Sequence, residues 1–152
     1  MNGAYVHLLL DPFPASLEIV ALVLLLLAAL WRSEPVRRAA FVLVVLAGVV
    51  AIPVFRSGSA AREVIRGVEM INTTAIDPHQ EAAQQTMVFV MLSAAVSLVA
   101  LVRYRRRAVS RWATFLIAFL AIVATSSTVY TSLLGGRIRH PETAIRTRAA
   151  QP

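Results

Sequence analysis

Four long apolar runs divide this chain: Ala15 to Trp31, Ala39 to Phe55, Thr86 to Val102 and Trp112 to Leu134, each 17 to 23 residues long. At about 1.5 Å per residue, such a run just crosses a hydrocarbon layer of roughly 30 Å. None alternates polar and apolar residues at period two, which argues against a membrane barrel. Backbone groups in lipid must be satisfied within their own segment, so the runs are helices. Buried helices of a soluble protein would need polar outer faces, and the first two runs have none.

The pattern between the runs predicts further elements. Ser59 can cap a short helix that places Ala61, Val64, Ile65 and Val68 on one face and Arg62, Glu63, Arg66 and Glu69 elsewhere. That spacing reads as an amphipathic helix lying on the membrane surface, either covering the bundle end or acting as a lid or docking surface. Asp77 is a suitable N-cap for the third spanning helix, with Pro78 at its first position. Gly135-Gly136 suits a left-handed end to the fourth, and Pro53 loosens the last turn of the second. The expected fold is an all-α, single-domain, four-helix membrane bundle. Its spans are 15–31, 39–55, 78–102 and 112–134, with a surface helix at 59–71 and a polar tail at 137–152.

Composition supports the membrane reading and charge orients it. Of the 152 residues, 58% are hydrophobic and 15% charged, with a mean hydropathy of +0.70. The stretch before the first run has no Lys or Arg, and no small-residue cleavage site follows it, so that run is expected to remain as a helix. All basic side chains are arginines. The loops at 32–38 and 103–111 hold Arg32, Arg37, Arg38, Arg103, Arg105, Arg106, Arg107 and Arg111 against the single acid Glu34, carrying the whole net charge of +7. Short basic loops beside spanning helices stay in the cytoplasm. Both termini are then outside a bacterial inner membrane, and Trp31, Tyr104 and Trp112 mark the inner interface.

This asymmetry argues against nucleic acid as a partner. Arg37, Arg38, Arg105, Arg106 and Arg107 lie where anionic lipid headgroups are found. The absence of cysteine excludes disulfides, thiolate metal sites and attached c-type haem.

The candidate chemistry gathers on the other side. His7, His79 and His140 all fall there, accompanied by Asp11, Glu81 and Glu142, with Glu18 deeper. Histidines beside carboxylates suit a transition-metal ion, and two or three at one depth suit the axial positions of a b-type haem. The competing reading is ordinary: interfacial histidines and helix-end charges in reach of water. Polar residues also collect in the outer halves of the helices. Ser16 and Glu18 lie on the first, Glu81, Gln84 and Gln85 on the third, and Thr125, Ser126, Ser127, Thr128, Thr131 and Ser132 on the fourth. Such groups turn toward one another inside a bundle, giving it a dry inner half and a polar outer half. Glu18 needs a partner, for which Arg56, His79 and Arg137 are the candidates.

The stretch from His7 through Asp11-Pro12-Phe13-Pro14, the run Ala51-Ile52-Pro53, and Leu134-Gly135-Gly136 followed by His140 resemble a family of bacterial four-helix membrane proteins. Members open with a His and Phe-Pro motif and carry Gly-Gly and a histidine after the last helix. The chain departs from them near Pro12, where similar proteins have a second histidine. The resemblance implies the fold and topology and no particular activity.

Two function classes follow. One is a metal- or haem-binding module handling electrons or metal ions at the outer face. The other is a non-catalytic accessory subunit that meets other membrane subunits through its surface helix and C-terminal tail. Four helices without an evident inverted repeat leave little room for alternating access. No serine sits in a nucleophile elbow, so hydrolysis is weaker still.

Overall fold

The computed structural model describes residues 3–66 and 73–139. It contains α1 (Gly3–Leu10), α2 (Pro12–Leu30), α3 (Glu34–Arg66), α4 (Ile76–Arg103) and α5 (Arg111–Arg139), with a 3-10 turn at Thr73–Ala75. No strand occurs among the described residues. α1 and α2 form a single rod that bends at Asp11. Pro12 brings no backbone N–H to the junction, while Asp11 N still donates to His7 O at 2.9 Å. Four rods result, each of 28 residues or more and apolar enough to cross a membrane. At 1.5 Å per residue each is about 42 Å long or longer.

Short connections at 31–33 and 104–110 force neighbouring rods to run antiparallel. Around the bundle α2 packs on α3, α3 on α4, α4 on α5, and α5 returns to α2, while α1 packs on α3. All chain reversals of one kind therefore share an end. The end with residues 31–33 and 104–110 is called the arginine end, and the opposite one the histidine end.

The arginine end is closed by backbone and charge. Arg32 has a left-handed φ of 53°, and Ser33 N donates to Ala28 O at 3.1 Å. This is the hydrogen bond of a Schellman ending, with arginine where glycine is usual. Glu34 then ties two loops together. Its carboxylate accepts from Arg37 Nη1 at 2.7 Å, Arg38 Nε at 3.1 Å and Val109 N at 3.0 Å. Arg38 Nη2 also donates to the carbonyls of Tyr104 and Arg107, both at 2.7 Å. Arg103 and Arg107 stack their guanidinium groups over Tyr104, 6.0 and 5.4 Å from the ring centroid. Arg37 and Arg38 are thus occupied in holding the loop, while Arg105, Arg106 and Arg107 are exposed.

Above that knot the interior is mostly apolar, built on Leu25, Phe41, Ala100, Val109 and Ile117, with Ser93 and Ser97 of α4 fully buried in the same half. Ala21, Val44 and Ala121 form the next layer, and Ala51, Val90 and Ala124 a third. Small residues let the rods approach closely, as expected for helices packed in lipid. The outside is apolar too: Leu30, Val99, Phe115 and Leu133 are each more than 60% exposed. A surface of that kind needs lipid around it rather than water.

The helices outrun the sequence pattern at four points. α2 starts at Pro12, a proline suited to a first turn whose N–H groups have no intrahelical partner, and α3 starts at Glu34, where a charged first turn extends the apolar run. α3 does not stop at Phe55 but continues through Pro53, Gly58 and Ser59 to Arg66. The expected separate helix from Ser59 is therefore, as far as Arg66, the last turns of α3; residues 67–71 lie outside the described residues. Tertiary contacts keep α3 going: Gly3 fits closely against Ala60, and Arg62 reaches Asp77 and Gln80 on α4, each at 2.5 Å. Asp77 is hence an ion-pair partner and not an N-cap; α4 begins two residues earlier than expected, at Ile76, with Ala75 in the cap position and no side-chain cap. Finally, α5 runs through Gly135-Gly136 to Arg139 with no glycine at positive φ.

Candidate functional site

Glu18 is fully buried. It lies 12 residues from Leu30, about 18 Å along the helix axis and close to mid-bundle. The apolar run Ile19 to Leu30 follows it, so α2 continues as a helix and fixes the carboxyl's height. Its neighbours come from α5. Thr128 Oγ1 stands 3.5 Å from Glu18 Oε2, at the limit of hydrogen bonding. Thr125, one turn away on α5, turns its hydroxyl toward the same carboxyl, yet Thr125 Oγ1 and Glu18 Oε1 are both without a hydrogen bond of good geometry.

The expected cationic partners do not meet it. Among the described residues the ion pairs are Arg37 and Arg38 with Glu34, and Arg62 with Asp77. Arg56 and Arg137 are exposed, and His79 is engaged elsewhere. Unpaired buried charge is expensive in such a setting, whereas a neutral acid or a cation-bound carboxylate is not. Hydrogen-bond accounting adds to this. The single hydroxyl proton of Thr128 goes to Ala124 O at 2.8 Å. The Thr128 hydroxyl is shared between Ala124 O and, more weakly, Glu18 Oε2.

Toward the histidine end the polar interior continues between α4 and α5. Thr86 Oγ1 is 2.6 Å from Ser127 Oγ and 2.9 Å from Thr131 Oγ1. His79 Nδ1 is 2.9 Å from Thr131 O, and since a carbonyl only accepts, Nδ1 carries the hydrogen. Thr128, Thr131 and Gly135 fall on one stripe of α5 by helical spacing. Two separate polar groups result: Thr128 with Glu18, and Thr86 with Ser127 and Thr131 nearer His79. Of the polar residues expected to turn inward, Glu18, Thr86, Thr125, Ser127, Thr128 and Thr131 are buried or half-buried, whereas Ser16, Glu81, Gln84, Gln85, Ser126 and Ser132 are exposed. Thr86 links the inward group to α4.

The histidines repeat one arrangement on two helix pairs. His7 on α1 hydrogen-bonds Val54 O of α3 through Nδ1 at 2.9 Å, and its ring faces Gly58. His79 on α4 does the same with Thr131 O of α5, its ring against Gly135. In both, the glycine lies four residues beyond the accepting carbonyl, one turn along the partner helix. Among the described residues each imidazole is left with Nε2 as its open acceptor atom.

The other candidates separate. Asp11 is exposed at the bend between α1 and α2. Glu81 is exposed in a polar cleft of about 230 Å³ lined also by Arg62, Asp77, Gln80 and Gln84. No three His, Asp or Glu side chains stand together as a metal site among the described residues. His140 and Glu142 lie outside the described residues. The sequence reading missed the accepting carbonyls of Val54 and Thr131, and the two glycines under the rings; a glycine inside an otherwise uninterrupted helical run was the available signal. The chain matches no known family model, no curated protein and no solved structure.

Proposed function

We propose that this chain is an integral protein of the bacterial inner membrane that binds a cation, the proton included, at Glu18 inside its helix bundle. The arginine end faces the cytoplasm and the histidine end faces outward, following the charge split between the loops. The observation that carries the reading is the fully buried Glu18 carboxyl with Oε1 unpartnered. An ionisable group held inside a membrane bundle is costly and is retained where it binds or moves charge. Hydroxyls gather between Glu18 and the histidine end while the opposite half is mostly apolar, which favours entry of its ligand from the histidine end.

A hydrophobic carbodiimide tests this directly. Dicyclohexylcarbodiimide added to intact membranes is expected to modify Glu18, and Glu18→Gln to abolish that adduct. A cation that binds there slows the modification. A Glu18 that stays unmodified while exposed Asp11 and Glu81 react with a water-soluble carbodiimide overturns the reading.

A second reading concerns the histidines. Metal-bound histidines commonly donate their other ring N–H to a carbonyl, and His7 and His79 both do so. Each Nε2 offers one ligand to a transition-metal ion or b-type haem at the outer end, although no third His, Asp or Glu joins them among the described residues. Metal analysis and a visible spectrum of purified protein test it, with His79→Ala as control. If neither ligand class binds, an accessory subunit packing against larger membrane partners is what remains.

A further inference from the structure

We propose that the chain is an internal duplicate of two helical hairpins, and that the seam between α2 and α5 is the entrance to Glu18. That seam opens at the histidine end while its counterpart between α3 and α4 stays tied. This rests on Glu18 being the ion-binding group and deepens that reading by giving the route a cation takes from outer water.

The duplication shows in which positions are buried. Moving 72 positions along the chain takes His7 to His79, and takes Glu18, Ala21 and Leu25 of α2 to Val90, Ser93 and Ser97 of α4, all of them buried. Moving 77 positions takes Val44, Ala47 and Ala51 of α3 to Ala121, Ala124 and Thr128 of α5, again all buried. The same step takes Val54 O and Gly58, which hold the His7 ring, to Thr131 O and Gly135, which hold the ring of His79. The longer 104–110 connection takes up the difference between the two shifts. Both hairpins run the same way, so a two-fold axis along the bundle relates them as parallel repeats.

Equivalence makes the two seams comparable, and they differ. Arg62 of α3 holds Asp77 and Gln80 of α4, and Gly48 brings α3 close against Ala94 of α4. In the other seam Tyr5 and Leu8 stand where Asp77 and Gln80 would be, and both are exposed. They bring neither carboxylate nor amide, and α1 packs on α3 rather than α5. Among the described residues the polar ties from α2 to α5 are the 3.5 Å contact of Thr128 with Glu18 and the approach of Thr125 to the same carboxyl. The positions matching Glu18 and Thr128 are Val90 and Ala51, which share one apolar cluster. The untied seam is thus the polar one. Each histidine clasp lies within a hairpin, so each hairpin keeps its shape when the seam parts. Toward the arginine end Ala21 and Ala121 pack in one layer with Val44 and hold the seam shut.

The chain has no cysteine, so single thiols report the two seams. Thr128→Cys and its counterpart Ala51→Cys are reacted, in full chains in lipid nanodiscs, with a cationic, water-soluble methanethiosulfonate. Both native residues are 8% exposed, so a difference in rate reports opening and not static access. Thr128→Cys is expected to react at least about tenfold faster than Ala51→Cys. Arg62→Ala unties the second seam, raises the Ala51→Cys rate and leaves that of Thr128→Cys as it was. Complete reaction in denaturant counts the thiols, and Thr125→Cys replaces Thr128→Cys should the latter fail to fold. Equal rates in the two seams, or no reaction at the α2–α5 thiol, overturn the entrance, while carbodiimide labelling still decides whether Glu18 binds a cation. A fast α2–α5 thiol in a chain whose Glu18 resists carbodiimide overturns the ion site and not the seam.

Discussion

The ring of His79 rests on the backbone of Gly135, where an added Cβ would stand 3.2 Å from Cε1 and 3.4 Å from Nδ1. The same construction at Gly58 leaves 3.7 Å to the ring of His7, an ordinary contact. Two similar clasps therefore predict opposite outcomes. Gly135→Ala pushes on a ring tied to Thr131 O and is expected to destabilise by about 1 kcal/mol or more. Gly58→Ala gains helix propensity and stabilises by up to about 1 kcal/mol. Thermal unfolding in detergent measures both, and His79→Ala in the Gly135→Ala background recovers the loss if the ring is the cause.

Gly48 marks the closest approach of α3 and α4. A Cβ there would lie 2.5 Å from the Ala94 Cβ, so Gly48→Ala forces the helices apart. A loss of about 1–3 kcal/mol is expected, and Ala94→Gly in the same chain restores much of it. An unchanged unfolding midpoint for Gly48→Ala alone would contradict this crossing.

How far these contacts could be read beforehand differs by scale. Hydropathy and arginine placement reveal the four rods because spanning helices are selected by their own composition. Helix ends depend on neighbours, so Ser59 reads as a cap although Gly3, Asp77 and Gln80 hold α3 together past it. Gly135-Gly136 reads as a stop, but the first glycine makes room for His79. Glu18 was legible as a residue needing a partner; that threonines surround it depends on the rotation of α5, which no local pattern specifies.

At the arginine end, Arg38 is gripped by three acceptors in a forked geometry that lysine cannot reproduce. Arg38→Lys is expected to loosen the 104–110 loop nearly as much as Arg38→Ala. Glu34→Gln weakens the hold on both arginines and on Val109 N, costing about 1–3 kcal/mol. Proteolysis at Arg105 to Arg107 in inverted vesicles reads the loosening, and equal cleavage in Arg38→Lys and wild type would argue against the knot.

The orientation gives a separate prediction. Reporter domains fused at residue 35 or 108 are expected to report the cytoplasm, since the surrounding loops carry the net positive charge. Activity of a periplasm-dependent reporter at either position would invert the topology and with it the side from which Glu18 is reached.

Glu18 offers the sharpest contrast between stability and use. A buried carboxyl with one oxygen unpartnered costs the fold free energy that an apolar side chain would not. Glu18→Leu, of similar volume, is therefore expected to raise stability by about 1–3 kcal/mol, and Glu18→Gln to change it by less. Both lose carbodiimide reactivity. Glu18→Ala leaves a cavity beside Thr128 and destabilises by about 2 kcal/mol or more, separating a packing effect from a charge effect. If Glu18→Leu unfolds more easily than wild type, the carboxyl is satisfied by a bound ion that contributes to the fold. That ion then shows itself as a rise in the wild-type midpoint with its concentration.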